Sequence, residues 1–330
     1  MQALLTILNF LLPSANECYL DNNILDPRTN ATLKQISIEI AKDTGISVNK
    51  AQQYLSCSKK NTYTAKRTTN TSKPVSAFCQ FNKRLVDPYR VKQGAKFYLQ
   101  HQSLLTDAAK QFNVDPIIIT AIIGAESNYG NFTGNHSVKE SIATVIANTC
   151  QDDDSPNHYK NSGVSNKHTF FVRELKSLIH MDIDYGIDTK NLKGSWDGGI
   201  GLAQFMPYSY LNFAYSTHRA TPDLFSPDDA IFSIANYLHK NGGWKNTQTA
   251  RKYTPSAEEI KRLTNKDKIS LTSGDHQHIY RFALNDNTQE YWLTDQNFET
   301  IRQYNPRPHY AINIHLLAEA IRDHINYHPE

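Results

Sequence analysis

The stretch Asp115-Pro-Ile-Ile-Ile-Thr-Ala-Ile-Ile-Gly-Ala-Glu126-Ser-Asn-Tyr-Gly130 constrains the chain more than any other. Asp115 followed by Pro116 is a helix start, because the carboxylate accepts from free N–H groups and proline tolerates the first turn. Gly130 reads as the stop. Between them isoleucines and alanines cover every side, so the helix is expected to be buried all round. Glu126 then places a carboxyl in an apolar setting. Desolvation and the negative end of the helix dipole both raise its pKa. A glutamate kept protonated near neutral pH is what acid-catalysed cleavage of a glycosidic bond needs, since the leaving oxygen must receive a proton. A helix-end glutamate turned to water, or paired with an arginine, is the plainer alternative, and the segment alone leaves both open.

The formal net charge of +3 over 330 residues is too mild to imply nucleic acid, and no Lys/Arg run makes a binding stripe. Residues 3–12 form a short apolar run followed by Pro13-Ser14-Ala15, as in an export signal, although a positive start is lacking. No segment has the uninterrupted apolar length to cross a bilayer. Asn16-Glu17 ahead of Cys18 lacks the small residues that lipid anchoring needs, so an exported, periplasmic, unanchored protein is expected. Cys57 and Cys79 could close a disulfide in that compartment, or all four cysteines are free thiols. No zinc-ligand spacing occurs, and neither metal nor organic cofactor is expected.

Two short helices, Asn30 to Asp43 and Ser47 to Ser56, are separated by Gly45, and Ser58 to Pro74 reads as an exposed polar linker. Helical pattern resumes from Asp87-Pro88, and a further helix spans Lys139 to Asn148. The stretch Gln151 to His168 reads as a surface insertion. Helices follow near Phe170 to His180 and Pro227 to Asn241. His278 to Leu284 and Glu290 to Leu293 read as a hairpin, followed by helices Asp295 to Gln303 and Tyr310 to Ile325. The whole is α+β, predominantly helical with a small β element.

Two further motifs stand out. Gly194-Ser-Trp-Asp-Gly-Gly-Ile-Gly-Leu-Ala-Gln-Phe-Met-Pro207 packs four of the chain's 14 glycines into eight positions, which means tight turns or a backbone approached closely by a ligand. Tyr304-Asn-Pro-Arg-Pro-His-Tyr310 places two tyrosines and an asparagine on one inter-helix loop. Together with the Glu126 helix, in this order, the motifs resemble the membrane-bound lytic murein transglycosylase B family. The likeness runs from Phe78 to Asp323 and also covers Tyr89-Arg-Val-Lys-Gln-Gly94, Ala235-Asn-Tyr237 and Gly243-Trp244.

The resemblance implies a lysozyme-like core over residues 75–330, preceded by a signal segment over 1–17 and an N-terminal helical segment over 18–74. It implies cleavage of the N-acetylmuramic acid β-1,4 N-acetylglucosamine bond of peptidoglycan glycan strands, giving 1,6-anhydro ends, by a monomer. Carried over, Glu126 is acid and then base. Ser195, Gln204 and Asn305 hold substrate, and Phe205, Tyr237, Tyr304 and Tyr310 are aromatic groove residues. Phe81 stands where the family commonly has a tyrosine. The family's calcium-binding loop after the Met-Pro step is matched here by Tyr215 to Asp223 with one carboxylate, so calcium is not expected. Asp197 stands where the family has a small residue. It reads as an exposed loop aspartate, or, in a hydrolysing muramidase, as the carboxylate that activates water. A non-catalytic wall-binding protein is a further alternative.

Overall fold

The computed structural model describes residues 24–25, 31–56, 58–69, 85–149, 167–245, 247–264, 266–271, 277–284 and 288–327. The signal segment, all four cysteines, Phe81 and residues 151–166 of the insertion lie outside the described residues. Residues 167 and 168 of that insertion instead open a long helix.

The N-terminal helices are α1 (Ala31–Thr44) and α2 (Val48–Leu55), the second capped by the Ser47 hydroxyl accepting from Lys50 N–H at 3.1 Å. Leu33, Ile36 and Ile40 fall on one face at helical spacing and are fully buried, so α1 docks on α7 (Val138–Ala147) and α8 (Lys167–Tyr185). One continuous core runs from Leu33 to Ile321, so α1 and α2 share the core of the rest of the chain.

The expectation of an exposed linker after α2 is corrected over the described part. Strand β1 (Ile24–Leu25) pairs with β2 (Ser58–Lys59), and α3 (Thr62–Thr69) packs on α7. Ser58, Thr64 and Thr68 are buried. Hydrogen bonds do the docking: Asn61 N–H donates to Thr144 Oγ1 at 2.9 Å, and the Asn61 amide donates to Ser141 Oγ at 3.1 Å. A sequence with almost nothing apolar can therefore pack without any apolar periodicity to announce it.

Helices α4 (Pro88–Gln100), α5 (Gln102–Phe112) and α6 (Pro116–Ser127) follow, and α6 is the apolar helix foreseen from sequence. Ile119, Ile122 and Ile123 have no exposed surface, each worth about 1.5–3 kcal/mol of burial. A short pair, β3 (His136–Ser137) with β4 (Lys193–Gly194), leads into the glycine-rich loop, which ends at α9 (Pro207–Phe213). Helix α10 (Pro227–Gly242) packs on α5.

The expected hairpin is β7 (His278–Ala283) with β8 (Gln289–Thr294), and two strands that the sequence reading missed complete it. These are β5 (Ala250–Lys252) beside β8 and β6 (Lys268–Ser270) beside β7, giving the order β5-β8-β7-β6. Leu263 of α11 (Ala257–Leu263) joins Ile269, Ile279 and Leu293 in a small second core. The chain closes with α12 (Gln296–Tyr304) on α10 and α13 (Pro308–Tyr327) laid across α4 and α6.

Candidate active site

Helix α6 delivers Glu126 to the floor of a groove of about 540 Å³. Asp115 Oδ1 caps its start, accepting from Ile117 N–H at 2.8 Å. The helix ends earlier than Gly130 suggested, because Asn128 (φ 49°) and Tyr129 (φ 58°) both take the left-handed conformation that side chains disfavour. That double turn folds the Tyr129 ring back under the helix, where its hydroxyl donates to the Arg90 carbonyl at 2.9 Å. The ring occupies the space that a Cβ at Gly124 would need, so glycine is required there.

Glu126 is half-buried and lines the groove. Tyr310 donates its hydroxyl to Glu126 Oε1 at 2.6 Å. Burial pushes the Glu126 pKa up to about 7; the Tyr310 hydrogen bond opposes the shift, and the negative charge of Asp197 adds to it. Burial was foreseen from the sequence, whereas Asp197 is a contributor that it did not name.

The glycine-rich loop forms the wall beside Glu126. Ser195 N–H donates to Gly199 O at 2.9 Å and Gly199 N–H donates back to Ser195 Oγ at 2.8 Å, which closes a tight loop around Trp196 and Asp197. A Cβ on Gly199 would sit 2.8 Å from both Ser195 Oγ and Gln204 Oε1, so only glycine allows those two side chains to approach. Ser195 Oγ donates to Asp197 Oδ1 at 2.6 Å. Asp197 is thus a half-buried groove residue, not the exposed loop aspartate expected, because the Ser195 contact turns it inward.

Gln204 holds a left-handed conformation (φ 50°) and donates its amide to Gly201 O at 2.8 Å and Thr133 O at 3.1 Å. Tyr304, the last residue of α12, donates its hydroxyl to Ala203 O, and Asn305 follows it on the groove rim. Tyr310 lies in the first turn of α13 and not on a loop, since Pro308 starts that helix.

The aromatic residues divide. Tyr237 and Tyr304 line the groove, with the Tyr237 hydroxyl donating to Gln303 O at 2.7 Å. Phe205 does not line it: its ring is buried 5.6 Å from Tyr237 and 5.8 Å from Tyr304, where it supports them from behind. Tyr310 is likewise buried and reaches the site through Glu126 alone. Ser195, Gln204, Tyr237, Tyr304 and Asn305 are therefore brought together with Glu126, and Phe81 lies outside the described residues.

Sequence reasoning missed the opposite wall. Arg173 and Glu174 of α8 line it with Tyr208; the fully buried Glu174 carboxylate accepts from Arg173 at 2.9 Å and from Tyr208 N–H at 2.8 Å. No motif marks this pair. Trp196 was also passed over, although a tryptophan inside a glycine-rich loop was a usable signal. Its carbonyl accepts from Thr64 Oγ1 at 2.5 Å, and the Arg67 guanidinium lies 5.3 Å from its ring, so α3 braces the wall from outside.

Residues 28–319 match the family described as the transglycosylase SLT domain. The chain belongs to that family. It is 30% identical over 267 residues to the membrane-bound lytic murein transglycosylase B of Escherichia coli K12, covering 76% of this chain and 69% of the relative. The Escherichia coli lytic transglycosylase Slt35, solved in complex with bulgecin A, superposes with a TM-score of 0.71 at 26% identity, over 89% of this chain and 93% of that one. The same Slt35 in complex with calcium gives 0.70 at 27% identity, again over 89% and 93%. The SLT-domain core here is accordingly the lysozyme-like α+β fold.

Calcium is tested by the donors after the Met206-Pro207 step. Among the described residues, His218, Asp228 and Asp229 could point ligand atoms at one spot. Arg219 already lies 3.2 Å from Asp229 Oδ2, and that oxygen also accepts from Asp223 N–H at 2.7 Å. Asp228 Oδ1 accepts from Ser226 Oγ at 2.5 Å. A calcium ion asks for six to eight oxygen ligands. Asp228 Oδ2 and the unpartnered Asp229 Oδ1 supply two carboxylate oxygens, and with the Arg219 guanidinium and the His218 imidazole beside them the described residues of this loop fall short of that set. Among the described residues, no helix is long and apolar enough to cross a membrane.

Proposed function

We propose that this chain is a lytic transglycosylase that cleaves the N-acetylmuramic acid β-1,4 N-acetylglucosamine bond of peptidoglycan and closes the muramic ring as a 1,6-anhydro end, with Glu126 as the single acid and base. The observation that carries the reading is a carboxyl with pKa near 7 at the floor of a groove, held by a Tyr310 hydroxyl.

Protonated Glu126 gives its proton to the glycosidic oxygen as the C1–O bond breaks, and the leaving sugar departs with a free 4-hydroxyl. The carbonyl oxygen of the muramic N-acetyl group bonds to C1 and carries the positive charge. The muramic O6 then attacks C1 and displaces that oxygen, while the Glu126 carboxylate takes the O6 proton. No water is consumed, and Glu126 ends protonated as it began. O6 is tethered to the reacting ring, so its effective concentration exceeds that of water wherever the groove excludes solvent. The raised pKa serves both halves, keeping the acid protonated at neutral pH and making its conjugate base stronger. The Tyr310 hydroxyl, donating to the carboxylate, steadies the charged state between them. Ser195, Gln204 and Asn305 supply polar contacts to the sugars, and Tyr237 and Tyr304 supply aromatic surface. A peptidoglycan substrate supports an exported, periplasmic enzyme, and a monomer is the state we propose for it.

The position of Asp197 in the groove favours one second reading, hydrolysis by a water that this carboxylate activates. Mass spectrometry of soluble products from purified sacculi separates the two. Anhydro-ended fragments that vanish in Glu126→Gln, with at least a thousandfold loss of rate, support the transglycosylase. Reducing ends, heavier by one water, would make the chain a muramidase. Sedimentation with the wall and no products from either protein would leave a binding role.

A further inference from the structure

We propose that Asp197 is a positioning residue for the proton transfers of Glu126: it locks the Ser195 hydroxyl on the groove wall and puts a second carboxylate in the groove that Glu126 lines. The inference rests on the transglycosylase reading and adds a residue that the family resemblance does not supply, since a small side chain is expected at this position.

Asp197 lines the same groove as Glu126 and is half-buried there. Its Oδ1 accepts the Ser195 hydroxyl at 2.6 Å, while Ser195 Oγ accepts Gly199 N–H at 2.8 Å. The hydroxyl proton is thereby committed to Asp197, and the Ser195 oxygen keeps a fixed direction. One lone pair of that oxygen is used by Gly199, which leaves the other to accept from a sugar hydroxyl or amide N–H. Without Asp197 the hydroxyl is left with Gly199 O, 3.5 Å away, or with solvent in the groove.

The charge has a separate effect. The groups that act on Glu126 come from three elements: Tyr310 of α13 donates to it, Tyr304 of α12 lies within electrostatic reach, and Asp197 on the glycine-rich loop is the one negative partner among them. Arg173, Glu174 and Arg307 line the same groove, but the Arg173 guanidinium is paired with Glu174. A like charge disfavours ionisation of its neighbour, so Asp197 holds the proton on Glu126 at higher pH than burial alone would. Asp197 gains and loses nothing in the reaction.

The test is the pH dependence of kcat and kcat/KM on purified sacculi for Asp197→Asn, Asp197→Ala and Asp197→Glu, each with product masses. Asparagine keeps an acceptor for Ser195 and removes the charge. Its alkaline limb should move toward acid by about half to one pH unit, with KM within twofold of wild type. Alanine should show the same shift together with a further two- to tenfold loss in kcat/KM, because the Ser195 hydroxyl is released. Glutamate restores the charge and should return the limb toward wild type. A carboxyl ¹³C titration of Glu126 in the wild-type chain and in Asp197→Asn reads the same shift without substrate, and so stands even if a variant turns over poorly.

Anhydro products with an unmoved limb and an unmoved Glu126 titration would overturn the positioning role alone. Reducing ends from wild type that disappear in Asp197→Asn would overturn both the role and the transglycosylase reading, and would make Asp197 the base for water.

Discussion

Helix α6 underlies the floor of the groove and α3 braces its glycine-rich wall, and the two are built by opposite means. α6 is held by burial: Ile119, Ile122 and Ile123 are wholly enclosed, and its carboxylates stand at its ends, Asp115 as cap and Glu126 on the groove. α3 carries almost nothing apolar and is held by hydrogen bonds, through Asn61 onto α7 and through Thr64 onto Trp196. Apolar burial resists displacement with many small contacts that add, while a polar dock gains only about 1 kcal/mol per bond because water offers the same bonds to the open state. The floor of this site is thus rigid by packing, whereas its glycine-rich wall is braced by a dock that can exchange with water.

The largest effect should come from breaking the packed side. Ile122→Ala removes a fully enclosed side chain in the middle of α6 and should cost about 2–5 kcal/mol, read from urea or thermal unfolding. Loss of activity should track loss of folded protein, and the alkaline limb of the surviving activity should stay where it was. A cost under about 1 kcal/mol would mean that α6 is not packed as tightly as its burial implies.

Next comes the functional end of the same helix. The folded-state pKa of Glu126 is raised from the ordinary 4.5 to about 7, so its contribution to stability is fully present below about pH 4.5 and is lost as pH rises through about 7. Glu126→Gln keeps an acceptor for Tyr310 and carries no titration. It should match wild type at pH 4 and exceed it by about 1–2 kcal/mol at pH 8, a value reduced for the open side of the groove. Melting curves at the two pH values check this. Equal stability at pH 8 would remove the argument from burial and leave Glu126 an ordinary solvated carboxylate.

The legibility of the chain follows the same division. Asp115, Pro116 and the run of isoleucines state their helix and its burial outright, because burial selects residue type at every position. The C-terminal hairpin was readable for a related reason: Tyr280, Phe282 and Trp292 turn to the main core, Ile279 and Leu293 turn to the small second core on the other face, and strands favour such β-branched and aromatic residues. By contrast, α3, Arg173 and Glu174 were invisible. What fixes them is a partner remote in sequence, Trp196 for Thr64 and Tyr208 for Glu174, and a polar residue with a distant partner looks the same as one in water. Phe205 erred the other way: its place in a motif predicted contact with sugar, but the structure uses it to back the rings of Tyr237 and Tyr304.

The smallest effect on stability should come from α3, and there the comparison is sharpest. Thr64→Val preserves shape and removes only the hydroxyl that donates to Trp196 O. The global cost should be about 1 kcal/mol, because one buried acceptor loses its partner. The local consequence should be larger. Amide exchange across α3 should accelerate while that of α6 stays unchanged, since a polar dock opens without disturbing the packed core. Trp196 and Asp197 share the tight loop closed by Ser195 and Gly199, so loosening their outer brace should lower kcat/KM several-fold, with most of the change in KM. Wild-type exchange and wild-type kcat/KM in Thr64→Val would show that α3 merely covers the wall. A drop in kcat/KM with α6 unperturbed would show that the substrate groove depends on a helix with no apolar face.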